Sequence, residues 1–164
     1  MFTHSSYTVC GVCGIQLQLW DTAGIERYAP LSPNYYKQAS AVIVCYAADS
    51  RLSLSSVADH VTVAASHCAC VPPLYFLCGS RADRSSSTSD VVTGTDVDRV
   101  RAQLAVDVAA CYAVSAATGR GVDHMFADVA QRLVDRHRNN VEKTPQTVTV
   151  VAESHCLHTC CSIG

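Results

Sequence analysis

The chain has 164 residues, a length for one domain with little room for a second hydrophobic core. Apolar residues make up 49% and charged residues 16%, which is too apolar for a disordered chain. A net charge of −2 gives no general basic surface, so a nucleic-acid partner is not expected.

No run of eighteen apolar residues occurs, and no membrane-spanning helix is predicted. Met1 to Cys10 lack the basic start and apolar stretch of a secretory signal, which predicts a reducing compartment. Ten cysteines are many for this length. Cys45 and Cys78 lie in apolar runs, where a thiol acts as a small hydrophobe. Cys10, Cys13, His67, Cys68 and Cys70 leave a zinc or redox site open as an alternative, although the Cys68-x-Cys70 spacing departs from the usual two-residue gap.

In chain order, Tyr7 to Cys10 can supply a hairpin partner, and Ile15 to Trp20 alternates at period two like a strand. Ala41 to Ala47 and Leu74 to Cys78 are continuous apolar runs, as in parallel strands buried on both faces. Between them Leu54, Val57, Ala58, Val61 and Ala65 recur at helical spacing over Ser53 to Ala65, until Pro72-Pro73 intervenes. A polar loop runs from Arg84 to Gly94. Thr95 and Asp98 predict a helix start, with Val100, Leu104 and Val108 on its face. Cys111 to Val114 reads as a short strand, and Val122 to Arg138 as the last helix. From Asn139 the periodicity ends. The expected organisation is a domain over 1–138 and a flexible tail over 139–164.

Alternation of strand and helix predicts an α/β sheet with ligands bound where strand C-terminal ends feed their loops. Those loops follow Trp20, Cys78 and Val114. Asp21 at a strand end can hold hydrated Mg2+, and Gly24 lets a backbone N–H approach a phosphate oxygen.

Trp20-Asp-Thr-Ala-Gly24, Asn34-Tyr-Tyr-Lys-Gln-Ala39, Cys78-Gly-Ser-Arg-Ala-Asp83, Ser115-Ala-Ala-Thr-Gly119 and the cysteine pair Cys160-Cys161 resemble, in order, the motifs of a Ras-superfamily small GTPase of the Rab branch. The resemblance implies a mostly parallel sheet flanked by helices, GTP or GDP with Mg2+ as ligands, and a role in vesicle or organelle membrane traffic. It implies that Asp21 holds Mg2+ through water and that Gly24 senses the γ-phosphate. Asp83 would accept from guanine N1–H and the exocyclic amine, and the Ala116 N–H would donate to O6. Ser80, Arg81, Ser115 and Ala117 complete the nucleotide-binding positions. Ile25, Arg27, Tyr28 and Tyr35 would lie in the switch II region that meets effector and regulatory proteins. Cys160 and Cys161 would be lipidated by the prenylation machinery, tethering the chain to the cytosolic face of an endomembrane.

The chain also departs from that family. Its two lysines, Lys37 and Lys143, follow Tyr36 and Glu142, so no Gly-Lys of a phosphate loop occurs. The strand that leads into that loop would lie between the Ile15 and Ala41 strands. Its absence leaves two rows of backbone groups open at about 1–3 kcal/mol for each buried one. Either the chain is part of a longer protein, the favoured expectation, or its sheet is rearranged. Ile25 stands where relatives orient water with glutamine, and Ser80, Arg81 and Ala117 replace Asn, Lys and Lys. Weak GTP binding, slow or absent hydrolysis, and a membrane-tethered pseudo-GTPase interaction module as the alternative function all follow.

Overall fold

The computed structural model describes residues 2–9, 13–21, 34–68, 71–84, 90–140 and 148–154. Among these, strands β1 (Phe2–Val9), β2 (Cys13–Asp21), β3 (Ala41–Ala47), β4 (Leu74–Ser80), β5 (Val108–Ala113) and β6 (Val148–Ser154) form one sheet in the order β1-β2-β6-β3-β4-β5. β1 runs antiparallel to β2, while every other neighbouring pair is parallel. The expected α/β sheet is present.

Helices cover both faces of the sheet, as its apolar strands require. The strands alternate their side chains. Val42, Val44 and Tyr46 of β3 join Leu54, Val57 and Val61 on one face, under α2 (Arg51–Ser55) and α3 (Val57–His67). Ala41 and Ile43 turn to the other face and meet Phe76, Met125, Val129 and Leu133, the last three from α5 (Val122–Asn140). Cys78 is buried in that second cluster, the small-hydrophobe role expected of it.

The helix expected over Ser53 to Ala65 is two helices that meet at Ser56. Local serines explain the break. Ser55 and Ser56 hydroxyls donate back to the Leu52 carbonyl at 2.7 and 3.4 Å, and such bonds compete with the helical ladder. The fourth helix, α4 (Gly94–Gln103), starts two residues before the expected position, because Thr93 and Asp96 form the capping box. The Asp96 N–H donates to Thr93 Oγ1 at 3.3 Å, and the Thr93 N–H to Asp96 Oδ2 at 3.0 Å. Leu104 is already extended and Val108 opens β5, so neither continues that helix face. Asn34–Lys37 forms the short helix α1.

The largest correction concerns residues after Asn139. α5 continues to Asn140, and Val148–Ser154 is a strand rather than part of a flexible tail. β6 lies in the slot between β2 and β3, where the sequence left a gap. Leu17 to Asp21 pair with Val148 to Ala152, and Ala41 to Cys45 pair with Val150 to Ser154. The two rows of backbone groups along β2 and β3 are thereby paired from within the described residues.

Burial separates core from surface. Leu77→Ala, at a side chain 0% exposed, should lower unfolding free energy by about 2–5 kcal/mol. Leu52→Ala, at a side chain 76% exposed, should change it by less than about 0.5 kcal/mol. Urea denaturation followed by circular dichroism measures both.

Candidate functional site

The carboxyl ends of β3, β4 and β5 meet at one corner, and the loops leaving them are tied together by backbone bonds. The Ala48 N–H donates to the Ser80 carbonyl at 2.8 Å, and the Val114 N–H to the Gly79 carbonyl at 2.8 Å. The Ala82 N–H donates to the Val114 carbonyl at 3.0 Å, which brings the loop after β4 against the loop after β5. Gly79 is needed at this corner for space. A Cβ there would stand 2.9 Å from the Tyr46 hydroxyl oxygen.

Of the residues singled out after β4, Ser80 has a structural task. Its hydroxyl donates to the Tyr46 carbonyl at 2.9 Å and locks the end of β4 to β3. Arg81 has φ 56, in the left-handed region that costs a non-glycine residue energy. Its Nη1 reaches Asp49 Oδ2 at 3.3 Å, an ion pair across the β3 and β4 loops. Asp49 is 32 positions away from Arg81, and no local motif announced the pair. The other Asp49 oxygen, Oδ1, is buried with no hydrogen-bond partner.

Asp83 is exposed, yet the Ser115 hydroxyl donates to it and holds its carboxyl below its ordinary value of 3.8; Arg84 and Arg120 add smaller pulls in the same direction. Ser115 itself is 0% exposed. Its Oγ also accepts from the Thr118 N–H at 3.3 Å, and its own N–H donates to the Arg120 carbonyl at 3.0 Å. Ala116 and Ala117 lie exposed on the same loop. Gly119 and Gly121 take φ 74 and 78, and a Cβ on Gly121 would meet the Ala113 carbonyl at 2.9 Å. The loop therefore presents an ionised carboxylate and exposed backbone beside one another.

Asp21 ends β2 opposite Ala152 of β6. Gly24, Ile25, Arg27, Tyr28, Cys160 and Cys161 lie outside the described residues, and Tyr35 is described there as part of α1. Cys10 and Cys70 of the alternative metal cluster also lie outside them. Cys68 Sγ donates to the Ala64 carbonyl at 3.0 Å. Among the described residues no group of three or more His, Cys, Asp or Glu stands ready for a metal ion, and no helix is long and apolar enough to cross a membrane.

Residues 4–135 match the model of the Ras family. The GTP-binding protein YPT52 of Saccharomyces cerevisiae is 30% identical over 143 residues, covering 77% of this chain and 61% of that protein. The putative ras-related protein Rab-5B of Dictyostelium discoideum is 30% identical over 125 residues, or 76% of this chain and 55% of its own length. The ras-related protein Rab-34 of Sus scrofa is 32% identical over 129 residues, 79% of this chain and 48% of its own. The chain thus spans about half to three fifths of the length of these three relatives.

Because its folded pKa is depressed, Asp83 lends stability that is fully present above its ordinary pKa and is lost as pH falls through the lower folded value. Ser115→Ala should move the Asp83 pKa up towards 3.8, read by an NMR pH titration of its carboxyl carbon; an unmoved pKa would contradict the contact.

Proposed function

The chain belongs to the Ras family of small GTPases, on its Rab-like side, and on that footing we propose that it is a guanine-reading domain of endomembrane traffic with a weak phosphate end. Members of this family bind GTP or GDP with Mg2+; binding by this chain is part of the proposal.

The observation that carries it is the Asp83 carboxylate, ionised and oriented by Ser115 in a loop braced against β5. Two donors spaced like guanine N1–H and its 2-amino group suit the two oxygens of one carboxylate, whereas adenine offers no donor at N1. The Ala116 N–H would meet O6, and the alkyl stem of Arg81 would lie along the base while its head stays with Asp49. The residues therefore fit a guanine base. Bound nucleotide would supply the γ-phosphate that switches the family, with Mg2+ near Asp21 offsetting its charge.

The phosphate end is weaker on three counts. Ile25 has no polar atom to orient water. No Gly-Lys pair occurs among these residues to neutralise the outer phosphates. The central strand ends in Glu153-Ser154, which brings an acidic residue and no Gly-Lys pair to the carboxyl end of that strand. This last point favours a second reading, a pseudo-GTPase that keeps the outer surface for effector and regulatory proteins without nucleotide control. In both readings Ile25, Arg27, Tyr28 and Tyr35 contact partners, and prenylated Cys160 and Cys161 hold the chain on the membrane, where two lipid chains anchor stably.

Two charge-assisted hydrogen bonds at about 1.5–3 kcal/mol each predict a preference for GDP over ADP of about a hundredfold or more. Asp83→Ala should erase that preference, measured by titration calorimetry on the full chain. Binding without preference, or a preference that survives the substitution, would overturn the first reading. No binding of either nucleotide at millimolar concentration selects the second.

A further inference from the structure

Among the described residues Arg81 is the one non-glycine with a positive φ. A left-handed backbone is unfavourable for a residue with a Cβ, so its surroundings must hold it there. The neighbours on both sides do. Ser80 is bonded to β3 through its hydroxyl, and its carbonyl accepts from the Ala48 N–H. On the other side the Ala82 N–H donates to the Val114 carbonyl, and the Arg84 N–H closes a turn on the Arg81 carbonyl at 2.9 Å. Arg81 is therefore the pivot between a segment fixed to β3 and one fixed to the loop after β5.

Its side chain is held from the β3 side. Asp49 accepts from Arg81 Nη1 at 3.3 Å, and its side chain is 13% exposed against 36% for Arg81. Asp49 does not drift with the arginine, because the residues beside it are bonded in turn. Ala48 donates to the Ser80 carbonyl and accepts from the Val92 N–H at 3.0 Å. The Ser50 N–H donates to the Ala47 carbonyl at 3.0 Å, and Ser50 caps α2. The pair adds little to stability. A buried ion pair roughly offsets its own desolvation, and Asp49 Oδ1 is buried with no hydrogen-bond partner, which is unfavourable. A strained backbone and an unsatisfied carboxylate oxygen thus stand at the two ends of one contact. Such strain persists where it serves position rather than stability.

We propose that Asp49 is a positioning residue of the base-reading corner: it draws the Arg81 guanidinium to the β3 side, so that the Arg81 methylenes form a fixed apolar cover on one face of a purine whose edge Asp83 reads. The inference rests on the guanine reading given above. Arg81 and Asp83 leave the same loop but are held to opposite neighbours, Arg81 by Asp49 of the β3 loop and Asp83 by Ser115 of the β5 loop. An arginine stem offers apolar surface to a flat ring, and a tethered stem loses less freedom on binding than a mobile one. Asp49 does not touch the nucleotide; it acts through Arg81. Its task is affinity for a purine, whereas Asp83 decides which purine.

The test uses the full chain and titration calorimetry with GDP and ADP. Asp49→Asn keeps the shape and removes the charge; it should weaken both nucleotides by about tenfold and leave their ratio unchanged. Arg81→Gly relieves the left-handed backbone and removes the stem, and should weaken both by a similar factor. Adding Asp49→Asn to Arg81→Gly should lose nothing further, because the two residues act in series. NMR separates positioning from loss of structure. The Arg81 δ-methylene protons should give two signals in the wild-type chain and one averaged signal in Asp49→Asn. The Asp83 carboxyl should keep its depressed pKa in that variant, since Ser115, with Arg84 and Arg120, sets it. Unchanged affinity in Asp49→Asn, a changed GDP-to-ADP ratio, or additive losses in the double variant would overturn the role of Asp49 alone. So would an Asp83 pKa that rises in Asp49→Asn, which marks collapse of the corner. A wild-type chain that binds neither nucleotide would overturn the guanine reading, and the role of Asp49 with it.

Discussion

Two rows of backbone N–H and C=O groups, one along β2 and one along β3, face each other across a gap one strand wide. Buried and unpaired, each group would cost about 1–3 kcal/mol, against a domain stability of about 5–15 kcal/mol. The sheet cannot exist with that gap open. Val148–Ser154 closes it, pairing with Leu17 to Asp21 on one side and Ala41 to Cys45 on the other. Within the sheet, β6 joins the β1–β2 hairpin to β3, β4 and β5. The position of Asp21 relative to the β3–β5 corner therefore depends on a strand more than a hundred residues later in the chain.

That arrangement divides the carboxyl edge into two parts with different foundations. The corner bearing Ser80, Asp83 and Ser115 stands on strands with continuous apolar sequence and is braced by bonds from Ala48, Ala82 and Val114. Its electrostatics are settled locally by the Ser115 hydroxyl and two arginines. The part around Asp21 leans on β6, whose sequence ends in an acid and a serine. In this Ras-family chain the corner proposed to read a base stands on continuous apolar strands, while the edge around Asp21 depends on the strand that fills one slot.

Much of the fold was legible because burial on both faces leaves a strong mark. β3 begins and ends where its apolar run does, and β4 extends that run by two residues. Asp83 and Ser115 were legible through motif order, since the spacing of two loops at neighbouring strand ends survives in sequence. β6 was not legible. Thr149, Glu153 and Ser154 make it read as a polar tail, and its partners are remote, so no local period could reveal it. The Ser56 break and the Thr93 cap were missed for a smaller reason: several serines and threonines compete for each helix terminus, and side-chain hydrogen bonding decides between them. The Arg81–Asp49 pair carried no signal, being a contact between two loops made only once β3 and β4 are adjacent.

The seating of β6 is the claim on which the rest turns, and NMR of the isotope-labelled full chain reads it directly. The structure predicts cross-strand backbone contacts from Val150 to both Leu19 and Ala41, in parallel registration. Direct contacts between Leu19 and Ala41 strands without an intervening one, or Val150 signals free of any cross-strand contact, would contradict it.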